Sequence, residues 1–433
     1  MFQLERLKYY YNRCDPSTPI DEEDSQHFYI NFDRLELRGK NSCIDEMYGT
    51  IQLSDHPTTQ IFSGFPGSGK TSELLRLAKI LRKQNYLVVY ADSLESIDTL
   101  NPIEYSDVLI ALGIAVDKHF TKLQNDGKFV KWAQKFWHDL EDILFAEAVP
   151  KDLSLKIGSD YVGAEIGLEL RDNPGFRSVV RRAANDKRHQ FLEQVRQFFN
   201  FADKAARENG YSSGLVLILD NLEKLSSDDD TRTSAREMLL HNADALRQPG
   251  VHLIYTVPAP FLFSAWVPRL TRLYDGSPQV LPMVKIHHRD SLKDCEEGVQ
   301  ALGEMLKRRI DFKEVLNDDS DVLTLLVKNS GGYMRDLLRL LQYSLQTSWG
   351  LPIRKEHVLS SIEKFQRSYR RGFSTEDIDL LNFVKSHRPN NIPDDLQKRL
   401  EDMMFSHYIM IYANGDEWYD VHPIVKNLLD AND

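Results

Sequence analysis

Eight consecutive residues, Gly64-Phe65-Pro66-Gly67-Ser68-Gly69-Lys70-Thr71, have the make-up of a phosphate cradle. Glycines let successive backbone N–H groups turn inward around phosphate oxygens, and a helix that starts where the loop ends adds the positive end of its dipole. Gly64, Pro66, Gly67, Ser68, Gly69 and Ser72 would form the wrap, and Lys70 would hold the β- and γ-phosphates. Thr71 would offer its hydroxyl to Mg²⁺, a hard ion that takes few protein ligands once phosphate oxygens bind it. A second chemical element is Asp220, which ends the apolar run Leu215-Val216-Leu217-Ile218-Leu219. A carboxylate at the carboxyl end of a buried strand is suited to orienting the water shell of that metal. Asn221 follows it and cannot take a proton, so Glu223 is the nearest candidate base for activating water. The other reading of Glu223 is a surface ion pair with Lys224, in which case nucleotide would be bound firmly and hydrolysed slowly.

These groups need elements to hold them. Gln60–Ser63 reads as a strand leading into the glycine-rich loop, and Leu74, Leu75, Leu77, Ala78 and Leu81 follow at helical spacing. Tyr86–Tyr90 reads as a strand and Asp107–Lys122 as a helix, so an α/β alternation has begun. Leu215–Leu219, Val251–Val257 and Val280–Ile286 supply three further strands, five in all, which suits a wound parallel sheet. A segment of about 125–209 interrupts the rhythm. It carries Trp132, Phe136 and Trp137 at helical spacing, which read as core. Alternation at Leu153, Leu155 and Ile157, and again over Val162–Leu170, predicts a β-hairpin. Near the start, His27–Phe32 reads as a short strand, and a helix runs towards Leu53. From Asp290 to Arg371 the signals are helical. The last residues carry two helices and two alternating strands joined by Asn414-Gly415, a pattern of helices and wing. The expected divisions are 1–57, an extension and linker; 58–288, the α/β domain; 289–371, a helical lid; and 372–433, a winged helix.

Composition narrows the field. A chain of 433 residues with 42% apolar and 27% charged side chains is ordinary for a globular protein of several domains. No run approaches the roughly 20 apolar residues of a membrane helix, and Met1–Asp15 lacks the apolar core of a signal peptide, so a cytoplasmic location with no membrane partner is expected. Cys14, Cys43 and Cys295 have none of the spacings of zinc sites or disulfide frameworks. The net charge of −11 requires any nucleic-acid contact to come from a local patch.

Over roughly Arg38 to Tyr369 the sequence resembles AAA+ and STAND-type P-loop ATPases, of the initiator-like branch. The resemblance implies ATP and Mg²⁺ as cofactors and a hydrolytic reaction yielding ADP and phosphate. It implies that Thr256 is the polar group that positions attacking water, and that Arg335, within Ser330-Gly331-Gly332-Tyr333-Met334-Arg335-Asp336, reaches the phosphates from the lid. Arg269 and Arg272 fall where the family carries an arginine finger that completes a neighbouring subunit's site, with solvated surface arginines as the other reading. Arg38-Gly39 resembles the linker that lines the adenine. Asn221 departs from the acidic residue of the motors and is nearer the STAND arrangement, in which nucleotide state acts as a switch.

Residues 373–433 count five Lys/Arg against twelve Asp/Glu, a poor surface for duplex DNA. The segment Asn414–Asp420 places acids where phosphate contacts would be needed, favouring a protein-facing or autoinhibitory wing. Arg171, Arg177, Arg181, Arg182, Lys187 and Arg188 form the best basic cluster, read either as a solvated or subunit-contact face or as an anion sensor. His422-Pro423 reads as a capped turn. The leading functional reading is a regulatory ATP switch that self-associates or recruits protein partners through the wing or the insertion, in a setting such as bacterial stress or phage defence. The alternatives are a DNA-remodelling or loader ATPase and a non-hydrolysing nucleotide-bound scaffold.

Overall fold

The computed structural model describes residues 2–17, 25–97, 102–122, 127–145, 162–225, 229–264, 266–291, 293–369, 373–413 and 417–430. They fall into two compact units. A sheet unit comprises Met47–Ser63 and Arg76–Gln279, and a helical unit comprises Met1–Glu46, Gly64–Leu75 and Val280–Asp433.

The sheet forms because four apolar runs are buried on both faces, as parallel strands must be. They are β1 (Thr59–Gly64), β2 (Tyr86–Asp92), β3 (Gly214–Asp220) and β4 (His252–Val257). β2 pairs with β3, β3 with β4 and β4 with β1, all parallel. The short β5 (Gln279–Leu281) completes the order β2-β3-β4-β1-β5. Every residue of β3 is buried, matching the uninterrupted apolar run in the sequence. The strand expected over Val280–Ile286 is shorter than its apolar pattern, because beyond Leu281 the backbone bonds elsewhere in the helical unit: Met283 N donates to Ile411 O at 2.9 Å and Lys285 N to Leu37 O at 2.9 Å.

In the insertion, the helices Gly127–Phe145 and Arg188–Glu208 share an aromatic core, with the Trp132 and Phe201 rings stacked at 4.2 Å and Phe136 against Phe198 at 4.4 Å. The expected hairpin is corrected in its second half. Val162–Asp172 is a helix, while 153–160 lies outside the described residues. The alternating apolar residues also contain an i, i+4 stripe, and that stripe decided the outcome: Ile166 and Leu170 are buried while Leu168, between them, is 53% exposed. The strand expected at His27–Phe32 is also absent. Ser25–Phe28 is a helical turn and Asp33–Leu35 a 3₁₀ turn, for which Asn31 Oδ1 accepts from the N–H groups of Asp33 and Arg34.

The helical unit packs Glu296–Lys307, Phe312–Leu316, Ser320–Asn329, Met334–Ser348 and Lys355–Tyr369 around one apolar core that includes Leu302, Leu326, Leu337 and Leu341. The helix Phe2–Arg13 joins that core through Leu7 and Tyr10, and the Tyr10 hydroxyl donates to Glu314 at 2.6 Å. The helices Thr375–His387 and Gln397–Phe405, the antiparallel pair β6 (Ile409–Ala413) and β7 (Glu417–Val421), and the helix Pro423–Asp430 follow. The hairpin was expected and its strands form; residues 414–416 of its turn lie outside the described residues. No helix among the described residues is long and apolar enough to cross a membrane.

The helical stripe of Val162–Asp172 has a direct test. Ile166→Ala is expected to cost about 2–4 kcal/mol in urea denaturation, and Leu168→Ala under about 0.5 kcal/mol. A strand would set both side chains on one face and make the two losses similar.

Candidate nucleotide-binding site

The glycine-rich loop follows β1 by chain connection and ends in the helix Lys70–Lys83. Gly67 and Gly69 have φ of +92° and +99°, left-handed values that L side chains rarely adopt. Both also lie under the start of the helix Met334–Ser348. A β-carbon on Gly67 would fall on the Arg335 side chain, 2.7 Å from its Cβ, and one on Gly69 would fall on the Met334 methyl. Lys70 is buried, its ammonium donating to the carbonyls of Gly64 at 2.9 Å and Phe65 at 3.2 Å. Ser68 Oγ is buried with no hydrogen-bond partner among the described residues. Orphaned hydroxyls of this kind are costly unless something binds them. The cradle therefore fits a phosphate on two grounds: the space held open by two glycines, and an unspent donor within the wrap. Thr71 and Ser72 occupy the first turn of the helix.

Three groups brace the loop. Arg38 Nη2 donates to Ser68 O at 2.6 Å while Nη1 lies 3.2 Å from Glu73 Oε1, both side chains 2% exposed, and Tyr29 OH donates to the same carboxylate at 3.1 Å. The guanidinium also sits 5.1 Å over the Phe32 ring. Breaking a buried pair by deleting one partner strands the other's charge, so Arg38 holds the loop's shape. Gly39, with φ of +110°, runs close to β6, where an added β-carbon would meet Ala413 Cβ at 3.5 Å.

From the other side, Gly331 and Gly332, with φ of +66° and +76°, make the turn before the helix Met334–Ser348. That turn sets the Tyr333 hydroxyl to donate to Pro66 O and brings Arg335 against Gly67. The hairpin region reaches the same place. His407 stacks on Tyr333 at 5.3 Å and lies 5.6 Å from the Phe65 ring, and the buried His422 Nε2 lies 3.1 Å from Asp336 Oδ2. His422 Nδ1 also accepts from Ile424 N at 3.1 Å, which is the expected capped turn. Asp420, counted in the sequence as a wing surface acid, is instead fully buried, paired with His287 at 2.8 Å and Lys426 at 2.6 Å. Its pattern position on a half-buried strand concealed those partners.

Within the sheet unit, Asp220 ends β3 with its side chain inaccessible to solvent. Its Oδ1 accepts from Asn221 N at 2.8 Å, and Tyr90 OH donates to its Oδ2. Thr256 Oγ1 accepts from Leu222 N at 3.2 Å, fixing the turn after Asp220. Asn221 has φ of +68°, a backbone state for which Asn is among the better residues. The register pairs Phe62 with Thr256 and Ser63 with Val257, and Leu219 with Tyr255. Asp220, Thr256 and Ser63, the residue before the loop, thus share the carboxyl edge of the sheet. The Glu223 backbone lies in the turn Leu222–Leu225, and its side chain is outside what the structure describes. Arg269 and Arg272 are exposed on the helix Val267–Leu273, with no ion pair among the described residues.

The basic cluster is largely consumed by the fold. Arg181 pairs with the buried Asp107 at 2.6 Å, Arg188 with Asp244 at 3.0 Å and Arg171 with Asp172 at 2.8 Å, while Lys187 Nζ caps Ile143 O at 2.8 Å. This favours the structural reading of those residues. Sequence reasoning missed Tyr29, Glu73, Tyr90, Tyr333 and His407. Tyr333 had a signal, since it sits directly after Gly331-Gly332 inside the motif that contributes Arg335; the others are brought in by contacts distant in sequence.

No family model matches the sequence, and no curated protein matches it. Among solved structures the chain is similar to Cdc6p from Pyrobaculum aerophilum, at 11% identity over 97% of this chain and 98% of that one, with a TM-score of 0.38. It is also similar to a point variant of RuvB from Thermotoga maritima, at 12% identity over 92% and 97% of the two chains, with a TM-score of 0.35. Scores this low do not bear on function, which rests on the residues themselves.

Burial lowers the His407 pKa to about 4. Between about pH 6.5 and pH 4 the unfolded chain takes up a proton that the folded chain refuses, so stability falls as pH falls through that window, by up to about 3 kcal/mol. Urea midpoints at pH 7 and pH 4.5 should differ less in His407→Asn than in the parent, since Asn tolerates the left-handed backbone here (φ +59°) without titrating.

Proposed function

We propose that the protein is an ATP-binding and slowly hydrolysing switch of the AAA+/STAND type, in which the glycine-rich loop holds the phosphates of Mg·ATP. The observation that carries this reading is the approach of Arg335 and Tyr333 to Gly67 and Pro66: the loop that would hold the phosphates is already touched by a cation and a hydroxyl from a separate run of helices. Lys70 and Arg335 would neutralise phosphate charge, and Thr71 and Asp220 would supply hard oxygen ligands to magnesium. Bound magnesium supplies charge neutralisation at the bridging oxygens. Glu223 would activate water and Thr256 would orient it. Arg269 and Arg272, exposed on their helix, would reach a second copy of the chain.

A phosphate entering the loop must displace the Lys70 ammonium from the Gly64 and Phe65 carbonyls and share space with Arg335. Any shift of Arg335 moves Tyr333 and Asp336, and through them His407 and His422 of the hairpin region. Nucleotide state is coupled in this way to helices and a winged-helix-like module that would present a surface to protein partners. The acidic balance of residues 373–433 and the paired insertion arginines support a protein partner over DNA.

The test is equilibrium binding and turnover of Mg·ATP by the full chain. Lys70→Ala should weaken ATP binding at least thirtyfold, and Glu223→Gln should leave binding within threefold while abolishing turnover. An absence of turnover in a parent that binds Mg·ATP would support the non-hydrolysing scaffold reading, and DNA-stimulated turnover the loader reading.

A further inference from the structure

The sheet unit contains a cleft that the phosphate chemistry does not use. β2 is the outermost strand of the sheet. Val89 to Asp92 form one wall, the helix Tyr105–Lys122 a second, and Gly167 with Leu168 a third, around a volume of about 390 Å³. That lies within the range of small-molecule sites, about 300–1,000 Å³. Small residues leave the room: Ala111, Ala115 and Gly167 line it, and a β-carbon on Gly167 would meet Ile114 Cδ1 at 3.0 Å.

Its polar groups are unevenly spent. At the strand end, Glu95 pairs with Lys118 at 2.7 Å, and Asp92 Oδ1 accepts from Leu94 N at 2.9 Å. At the helix end, Lys122 has no ion pair among the described residues. His119 has Arg82 and Lys122 for charged neighbours, and burial first, then those two cations, lower its pKa. Among the described residues, the apolar floor therefore ends beside the unpaired cation Lys122 and the imidazole of His119. One wall residue leads further: the Tyr90 hydroxyl donates to Asp220 Oδ2.

We propose that this cleft binds a small organic anion, an apolar or aromatic body carrying a carboxylate or phosphate, and that Tyr90 reports its occupancy to Asp220. The apolar body packs on Ala111, Ala115 and Val89, and the anionic group meets Lys122 and His119. A ligand seated against Val89–Asp92 shifts the Tyr90 ring. Withdrawing the hydroxyl removes its hydrogen bond from Asp220 Oδ2 and changes the direction of the carboxylate. Binding stands independently of any role for Asp220; the effect on turnover rests on the ATPase reading above.

The probes are phenyl phosphate and phenylacetate, titrated calorimetrically into the full chain, its Lys70→Ala variant, and two cleft variants, Ala115→Phe, which fills the floor, and Lys122→Glu, which reverses the charge. Circular dichroism checks that each variant is folded. At least one probe should bind saturably, equally well in Lys70→Ala, and at least tenfold more weakly in both cleft variants. Binding of phenyl phosphate alone assigns a phosphate-bearing ligand, and binding of phenylacetate alone a carboxylate. No saturable binding by about 10 mM, or losses below threefold in the cleft variants, overturns the site. For the relay, the bound probe should change ATP turnover at least twofold in the parent and leave Tyr90→Phe unresponsive although that variant still binds the probe. A bound probe with unchanged parental turnover overturns the relay. A parent with no turnover at all overturns the ATPase reading and leaves the binding result intact.

Discussion

Two missing β-carbons hold the helical unit's chemistry together. Gly67 and Gly69 adopt left-handed backbone; a β-carbon on Gly67 would collide with Arg335 close to its own Cβ, and one on Gly69 would displace the Met334 methyl. The loop and the start of the helix Met334–Ser348 can therefore take these positions only with glycine at both sites. Everything else on that side follows from the approach: Tyr333 over Pro66, His407 on Tyr333, and His422 against Asp336. The phosphate loop is thus in contact with groups that have no bond to it in sequence.

Buried charge fixes the geometry more than it stabilises it. Arg38 and Glu73 lie out of water, Asp336 and His422 are buried side by side, and the buried Asp420 is held by the partly exposed His287 and Lys426. Such pairs roughly offset their own desolvation, yet losing one partner leaves an uncompensated charge. They make alternative arrangements of the loop and hairpin costly. In the sheet unit, Asn221 N and Tyr90 OH both donate to the buried Asp220 carboxylate and orient it.

Much of this was legible in the residues. Strands β1 to β4 announce themselves as apolar runs, and β3 is buried at every position. The helices of residues 290–369 and the terminal hairpin follow from period and turn chemistry. Val162–Leu170 misled because apolar residues at every second position contain both a period of two and an i, i+4 stripe, and only burial of Ile166 and Leu170 against exposure of Leu168 separates them. Asp420 misled because its partners His287 and Lys426 come from separate elements. Arg38 stood out in the sequence only through its resemblance to an adenine-lining linker. Its bond to the Ser68 carbonyl and its pair with Glu73 were not legible, because both depend on a tertiary approach that no local pattern encodes.

The central claim is that Arg335 senses what occupies the loop beneath it. Calorimetric titration of Mg·ATP and of adenosine into the parent and Arg335→Ala tests it most directly. The account predicts that the substitution weakens ATP binding ten- to a hundredfold, about 1.4–2.7 kcal/mol, and leaves adenosine unaffected. Equal ATP affinity in the two proteins, or no saturable ATP binding in the parent, would contradict it.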